Sequence, residues 1–327
     1  MTKIVIDTLG ADMGMEPVVA GIAEALKRGV EFFPILVGPS EDVKKVMTDS
    51  GIDETCYETV DARNFIRNED PPTCIFGGCD DTSMAIAYGR LKNDPECGAM
   101  LSPGSTGALL VGSICRLGLL PGMKFPALAS MLPTTGKDLL CLVDCGANIE
   151  CTSDDLVRFA KMGEVFSRSY CGIDRPRIGL MSVGREKQKG TPLVQETHEK
   201  LSKLPLNFVG NVEGSDMVTD YADVIVTDGF SGNLLLKCAG GVGQAAVALV
   251  DRLSEGSDSE LVARIRQALY ETFDFNDRGA ATFLGPRKTV VKMHGCANAD
   301  ATVASIEQIL RLERAGFSRK MAEAMSK

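Results

Sequence analysis

The stretch Met100-Leu101-Ser102-Pro103-Gly104-Ser105-Thr106-Gly107-Ala108-Leu109-Leu110 restricts the folds open to this chain more than any other. Apolar residues run into it as into a buried strand, small residues turn the chain, and Leu109 to Cys115 continue as a helix. A strand that turns directly into a helix is the building unit of layered α/β folds. The turn also has chemical potential. Its N–H groups and the positive end of the helix dipole both favour an anion, and the hydroxyls of Ser102, Ser105 and Thr106 add donors, with Gly104 and Gly107 giving the backbone room. The same unit occurs in α/β proteins where nothing binds, so the turn alone leaves a phosphate site and a plain structural turn equally open.

Similar units repeat along the chain. Lys3 to Thr8 predicts a strand, and Glu16-Pro17 opens a helix to about Arg28, with proline suited to a first helical turn. Phe33 to Gly38 predicts a second strand, followed by a helix capped by Ser40 and running through Met47. Asn68-Glu69-Asp70-Pro71-Pro72 lies in a loop between Arg63 and Gly78, and Asp81 to Leu91 predicts a helix. Strands are expected at Pro126–Pro133, Leu139–Asp144, Arg177–Gly184, around Asn207 to Val212, around Ala222 to Thr227, and at Lys288–Met293. Ser153-Asp154-Asp155 caps a helix from Leu156 to about Tyr170, a long small-residue helix spans Leu234 to Leu253, and two helices end the chain. The segment Ser254 to Ser259 reads as a linker before a helix from Glu260 to Phe273.

With 327 residues the chain exceeds the size at which one core usually stops growing, which predicts one large α/β domain or two lobes around a central cleft. A net charge of -9 argues against nucleic acid as a partner, because phosphate neutralisation needs clustered Lys and Arg. The chain reads as having no apolar run near the roughly 20 residues of a membrane span, and Met1 to Asp7 enters a strand and not a signal peptide, so a cytoplasmic location is expected. Eleven cysteines read as reduced thiols; their spacings lack a second pair or a histidine at zinc-ligand distance, and no metal is expected. Gly10, Gly14 and Gly21 do not have the dinucleotide-binding spacing, which disfavours NAD.

Asp7 and Asp12 flank the turn after the first strand, where open α/β sheets place ligands, and capping of backbone N–H groups accounts for them equally well. Asp144 and Asn148 mark a second strand-to-helix junction. The charged turn Arg185-Glu186-Lys187-Gln188-Lys189-Gly190-Thr191 has the composition of a solvated loop, yet at the end of a buried strand a lysine there reaches a phosphate as a point charge. Lys189 is the better candidate, since Gly190 permits close backbone approach.

Taken together, these turns resemble the phosphate acyltransferases of bacterial phospholipid synthesis, the PlsX family. The family's Asp-Ala-Met-Gly-Gly-Asp is similar to Asp7 to Asp12, its Ser-Ala-Gly-Asn-Thr-Gly-Ala to Ser102 to Ala108, and its Asp-Val-Gly-Ala-Asn to Asp144 to Asn148. Gly184, Glu186, Lys189 and Gly190 resemble its Gly-Glu-Glu-Glu-Thr-Lys-Gly-Asn, and Gly210 to Gly214, Asp228-Gly229-Phe230 with Gly232-Asn233 and Lys237, and His294-Gly295 match later motifs. The seven segments occur in the family's order along nearly the whole chain. Departures are Ala11, Pro103, Ser105, Thr191, Cys296 and the segment Arg278-Gly279-Ala280-Ala281, together with a shorter, more acidic stretch from Ser254 to Phe273.

The resemblance implies a Rossmann-like α/β/α sandwich with a mostly parallel sheet, similar to the isocitrate dehydrogenase and phosphotransacetylase group. It implies a homodimer without cofactor that transfers a fatty acyl group from acyl carrier protein to inorganic phosphate, and at most weak peripheral membrane association. The acyl phosphate would feed a membrane glycerol-3-phosphate acyltransferase. Fitted to that chemistry, Ser102 to Gly107 and Lys189 hold phosphate, with Asp12 and Asn148 beside them; Asn233 or Asn211 donates to the oxyanion; Asp228 and His294 orient groups or handle protons. Cys296 beside His294 invites a nucleophilic role, against which stands a small residue filling a turn. A short-chain acyl-CoA phosphate transacylase or a divergent paralogue of the same fold with a cysteine step, and a non-catalytic acyl or carrier-protein binding module, are the competing readings.

Overall fold

The chain divides into two units, Met1–Pro126 with Gly279–Lys327, and Ala127–Arg278. The computed structural model describes residues 1–136, 139–254, 259–273, 280–296 and 298–326. Its strands are β1 (Lys3–Asp7), β2 (Phe33–Gly38), β3 (Glu58–Asp61), β4 (Cys97–Ser102), β5 (Ala127–Pro133), β6 (Leu139–Val143), β7 (Ile178–Met181), β8 (Phe208–Val212), β9 (Val224–Val226), β10 (Ala281–Leu284) and β11 (Thr289–Lys292). Its helices are α1 (Glu16–Lys27), α2 (Ser40–Asp49), α3 (Ser83–Asn93), α4 (Thr106–Gly112), α5 (Ser153–Cys171), α6 (Pro192–Leu201), α7 (Gly229–Leu253), α8 (Glu260–Phe273), α9 (Ala299–Arg314) and α10 (Phe317–Met325).

In the first unit the strands lie in the order β3-β2-β1-β4-β11-β10, parallel except for β10 against β11. The chain moves outward from β1 through β2 to β3 and then returns by α3 to β4 on the other side of β1. That reversal puts a topological switch point between β1 and β4, and open α/β sheets bind ligands beyond the carboxyl ends of the strands at such a point. Ile4, Ile6, Val18, Ile22, Leu36, Leu101, Val291 and Ile306 form a continuous core under α1 and α9. The two helices cross closely at Gly21, where a Cβ would stand 2.5 Å from the Cβ of Thr302. Only glycine fits that crossing.

In the second unit the order is β5-β6-β9-β7-β8, parallel except for β5 against β6. Helix α5 lies on this sheet with Gly163 against Val143 and Val224. Thr152 and Asp155 start it with a reciprocal capping box.

Several local expectations shift. Ser40 is the first residue of α2, with Pro39 at the cap position, and α5 is capped by Thr152 ahead of the expected serine and aspartates. Helix α7 begins five residues before Leu234, because Asp228 accepts hydrogen bonds from the backbone and hydroxyl of Ser231 and so nucleates the first turn at Gly229. The strand expected over Arg177–Gly184 stops at Met181. Strands β3 and β10 are additional to the expected set: both are four residues long, and β3 is held by β2 and β10 by β11, a tertiary pairing with little local signal. Residues 255–258 of the expected linker, and Arg278 and Gly279 among the family departures, lie outside the described residues.

The expectation that no segment approaches a membrane span is corrected. Helix α7 has 25 residues and an 18-residue window of mean hydropathy 1.4, long and apolar enough to cross a bilayer by length and composition. Its glycines break the visual run of large apolar residues, while its alanines, valines and leucines add hydropathy without charge. Only 17% of that window is buried.

Candidate active site

In the first unit the ends of β1, β4 and β11 meet around one buried carboxylate. Asp7, the last residue of β1, is 1% exposed. The Ser102 hydroxyl, at the end of β4, donates to it at 2.7 Å, and the Leu9 amide donates at 3.2 Å. Ser102 Oγ in turn accepts the Gly104 N–H at 3.0 Å. Burial pushes the Asp7 carboxyl up to about 6, opposed by the hydroxyls of Ser83 and Ser102, the Leu9 amide and the charge of Lys292. Ser102 is therefore an inward strut that shapes the turn, with its hydroxyl spent on Asp7.

Beyond it the turn is tightly packed. A Cβ on Gly104 would lie 2.7 Å from the end of Met84, one on Gly10 would lie 2.9 Å from the Cα of Gly104, and Gly107 packs on the Pro72 ring. Ser105 occupies the cap position of α4 without a side-chain cap hydrogen bond, and Thr106 begins the helix. The first-turn N–H groups have no partner inside the helix, which is the donor set an anion needs. Asp12 is exposed, its backbone N–H donates to the Gly295 carbonyl at 2.8 Å, and its carboxylate lies against Gly295. His294 and Cys296 are exposed on that same turn after β11.

The residue that sequence reading passed over here is Lys292. It ends β11 and is largely buried; its ammonium donates to the Pro103 carbonyl at 3.1 Å and to the Met293 carbonyl. Burial pulls its pKa down to about 8, against the charges of Asp12, Cys296 and Asp7. A lysine standing two places before His294-Gly295, at the inward end of an apolar strand, was the available signal.

In the second unit the equivalent strand ends are those of β6 and β9. Asp144, fully buried after β6, accepts five hydrogen bonds: from the amides of Leu128 (3.0 Å), Gly146 (3.1 Å), Ala147 (3.0 Å) and Asn148 (2.7 Å), and from the Asn148 side chain (2.7 Å). Burial raises its pKa and these donors lower it. The carboxylate thus folds the turn from Gly146 to Asn148 around itself. The Asn148 carbonyl then accepts the Gly229 amide at 2.7 Å, which ties this turn to the start of α7. Gly232 packs against the Asp144 carbonyl.

The candidate amides separate in this unit. Asn211 is buried; its Nδ2 donates to the Glu186 carbonyl at 3.0 Å and its Oδ1 lies 2.9 Å from His198 Nδ1. Its hydrogen-bonding capacity serves the charged loop. Asn233, in the first turns of α7, is half-buried beside Gly146, and its amide makes no hydrogen bond among the described residues. The cations separate too. Arg185 pairs with Asp216 at 2.6 Å and stacks over the Tyr221 ring, whereas Lys189 is exposed and its ammonium has no partner among the described residues. Gly190 holds a positive φ of 93° between Val194 and Ser182. Thr191, a departure from the family motif, caps α6, a task asparagine also performs.

Among the described residues no group of three His, Cys, Asp or Glu side chains is placed to hold a metal. Each unit thus presents a strand-end turn with backbone donors, and of the candidate residues the second unit carries a lysine and an amide that are unpaired among the described residues. The family model described as "Fatty acid synthesis protein" matches residues 2–320. The chain belongs to that family. It is 32% identical over 99% of its length to a phosphate acyltransferase of Clostridioides difficile, of which 96% is covered. It is 34% identical over 94% of its length to one of Thermoanaerobacter pseudethanolicus, of which 92% is covered. The resemblance drawn from the motifs holds along the whole chain.

Solved structures give the fold. A phosphotransacetylase from Streptococcus pyogenes superposes with a TM-score of 0.63 at 18% identity, covering 100% of this chain and 94% of that one. A branched-chain phosphotransacylase from Enterococcus faecalis does so with 0.60 at 15% identity, covering 95% and 99%. The expected mostly parallel α/β architecture of the phosphotransacetylase group is the one found.

Proposed function

We propose that this chain is a phosphate acyltransferase that moves a fatty acyl group from acyl carrier protein to inorganic phosphate, releasing acyl phosphate for phospholipid synthesis. The observation that carries the reading is family membership over residues 2–320 with curated relatives of that name at full length. A phosphate oxygen attacks the thioester carbonyl carbon, negative charge collects on the carbonyl oxygen, and collapse of the adduct expels the carrier thiolate. The protein must neutralise phosphate, hold it against the ester and donate to the oxyanion. In this reading the Ser105–Gly107 turn of the first unit offers N–H donors to phosphate; within the second unit Lys189 supplies a charge for phosphate and Asn233 a donor for the oxyanion. Asp228 acts through α7, whose first turn it caps and which carries Asn233. His294 is the candidate proton carrier. Direct attack by phosphate requires no covalent step at Cys296.

A homodimer is part of the proposal. It is supported by exposed apolar side chains on the paired helices α7 and α8, among them Leu249, Leu253, Leu261 and Ile265. Cytoplasmic location is also part of the proposal, on composition: eleven cysteines without a disulfide-type spacing suit a reducing compartment.

Incubation with phosphate and either palmitoyl carrier protein or acetyl-CoA, followed by hydroxylamine trapping, tests the reading. Hydroxamate from the carrier-protein donor is expected, reduced at least about a hundredfold by Lys189→Ala if one catalytic charge contact is lost. Product from acetyl-CoA alone assigns the short-chain reaction, and product from neither assigns a binding module.

A further inference from the structure

Lys292 is costly where it stands. An ammonium buried at the end of β11 gives up hydration, and a methionine of similar length would fill the same space without that cost. What the lysine gains is local: one hydrogen bond to the Pro103 carbonyl across the strand-end turn and one to the carbonyl of Met293, the residue that follows it. Pro103 belongs to the segment whose following N–H groups form the proposed phosphate donors. A carbonyl oxygen free to turn toward that site would repel the anion; fastened to an ammonium, it points into the protein, and a positive charge lies beneath the turn.

We propose that Lys292 is a positioning residue for phosphate, fixing the Pro103 carbonyl so that the Ser102–Gly107 turn offers donors alone to the bound anion. This rests on the phosphate-acyltransferase reading of the turn. The titratable groups facing the ammonium are Asp7 at the end of β1, Asp12 in the turn after β1, and Cys296 in the turn after β11. With its pKa drawn down to about 8, the lysine is charged at neutral pH and loses its charge at mildly alkaline pH, where an arginine in its place would not.

Two measurements test the assignment. The first is calorimetric titration of the full chain with inorganic phosphate, which requires no turnover; the second is phosphate KM with palmitoyl carrier protein from pH 6.5 to 9.5. Lys292→Met is expected to weaken phosphate about tenfold, the loss of one charge-assisted contact, with the KM for the acyl donor within twofold and the melting temperature not lowered. Wild-type phosphate KM should rise above about pH 8, and Lys292→Arg should remove that rise. Unchanged phosphate affinity in Lys292→Met, or the same alkaline rise in wild type and Lys292→Arg, overturns the proposal; should the methionine variant not fold, the arginine profile decides. A wild type that binds phosphate but makes acyl phosphate from neither donor overturns the function reading and leaves the calorimetric test of Lys292 intact. A wild type that does not bind phosphate overturns both.

Discussion

Replacing Asp7 by asparagine should stabilise the protein at neutral pH relative to acid pH, against the usual expectation for removing a buried hydrogen-bonded carboxylate. The carboxyl is fully buried and its pKa rises from 3.8 to about 6 on folding, equivalent to about 3 kcal/mol. Because the folded state holds its proton to higher pH than the unfolded state, the stability that Asp7 contributes is greatest below pH 4 and declines as pH climbs to about 6. Above that it stays lower by the full amount. Asparagine does not titrate. It keeps one acceptor for the Ser102 or Leu9 donors and loses the other, a pH-independent cost of about 1 kcal/mol. Urea unfolding of both proteins between pH 4.5 and 7 therefore measures a difference that shifts toward the variant by about 2 kcal/mol as pH increases, the remainder of the change falling below pH 4.5. Keeping below pH 7 leaves Lys292 charged in both proteins. A stability difference that is flat across this range would refute the argument that Asp7 carries its proton in the fold.

Two further outcomes are expected. Asp144→Asn should destabilise by about 3 kcal/mol at neutral pH, since its amide nitrogen would face N–H donors now satisfied by carboxylate oxygens; a loss under about 1 kcal/mol in urea unfolding at pH 7 would contradict the strut role. Leu249→Glu with Leu253→Glu on α7 should give a monomer by light scattering with unchanged circular dichroism, and a wild type already monomeric at micromolar concentration removes the dimer proposal. Recovery of the wild type on sedimented vesicles of bacterial lipids, abolished by the same pair of substitutions, would assign that face to a membrane surface instead.

The alternation of apolar strands with turns and helices was legible in the chain because parallel strands, buried on both faces, announce themselves as short apolar runs ending in glycine, aspartate or asparagine. So were the turns themselves and Lys189-Gly190. What local pattern did not carry was the assignment of hydrogen bonds. Asn211 and Asn233 are alike in sequence, yet the first is spent on Glu186 and His198 while the amide of the second makes no such bond among the described residues.

By itself, then, the sequence determined the class of fold, the order of its elements and the family, since these depend on neighbouring residues and on motifs read along the chain. Tertiary structure alone decided which polar groups at the strand ends are struts and which are available. Ser102 meets Asp7 across 95 positions and Lys292 meets Pro103 across 189. A partner at that separation is fixed by the sheet order, which places β1, β4 and β11 side by side, and by the cost of leaving any of these buried groups unpaired.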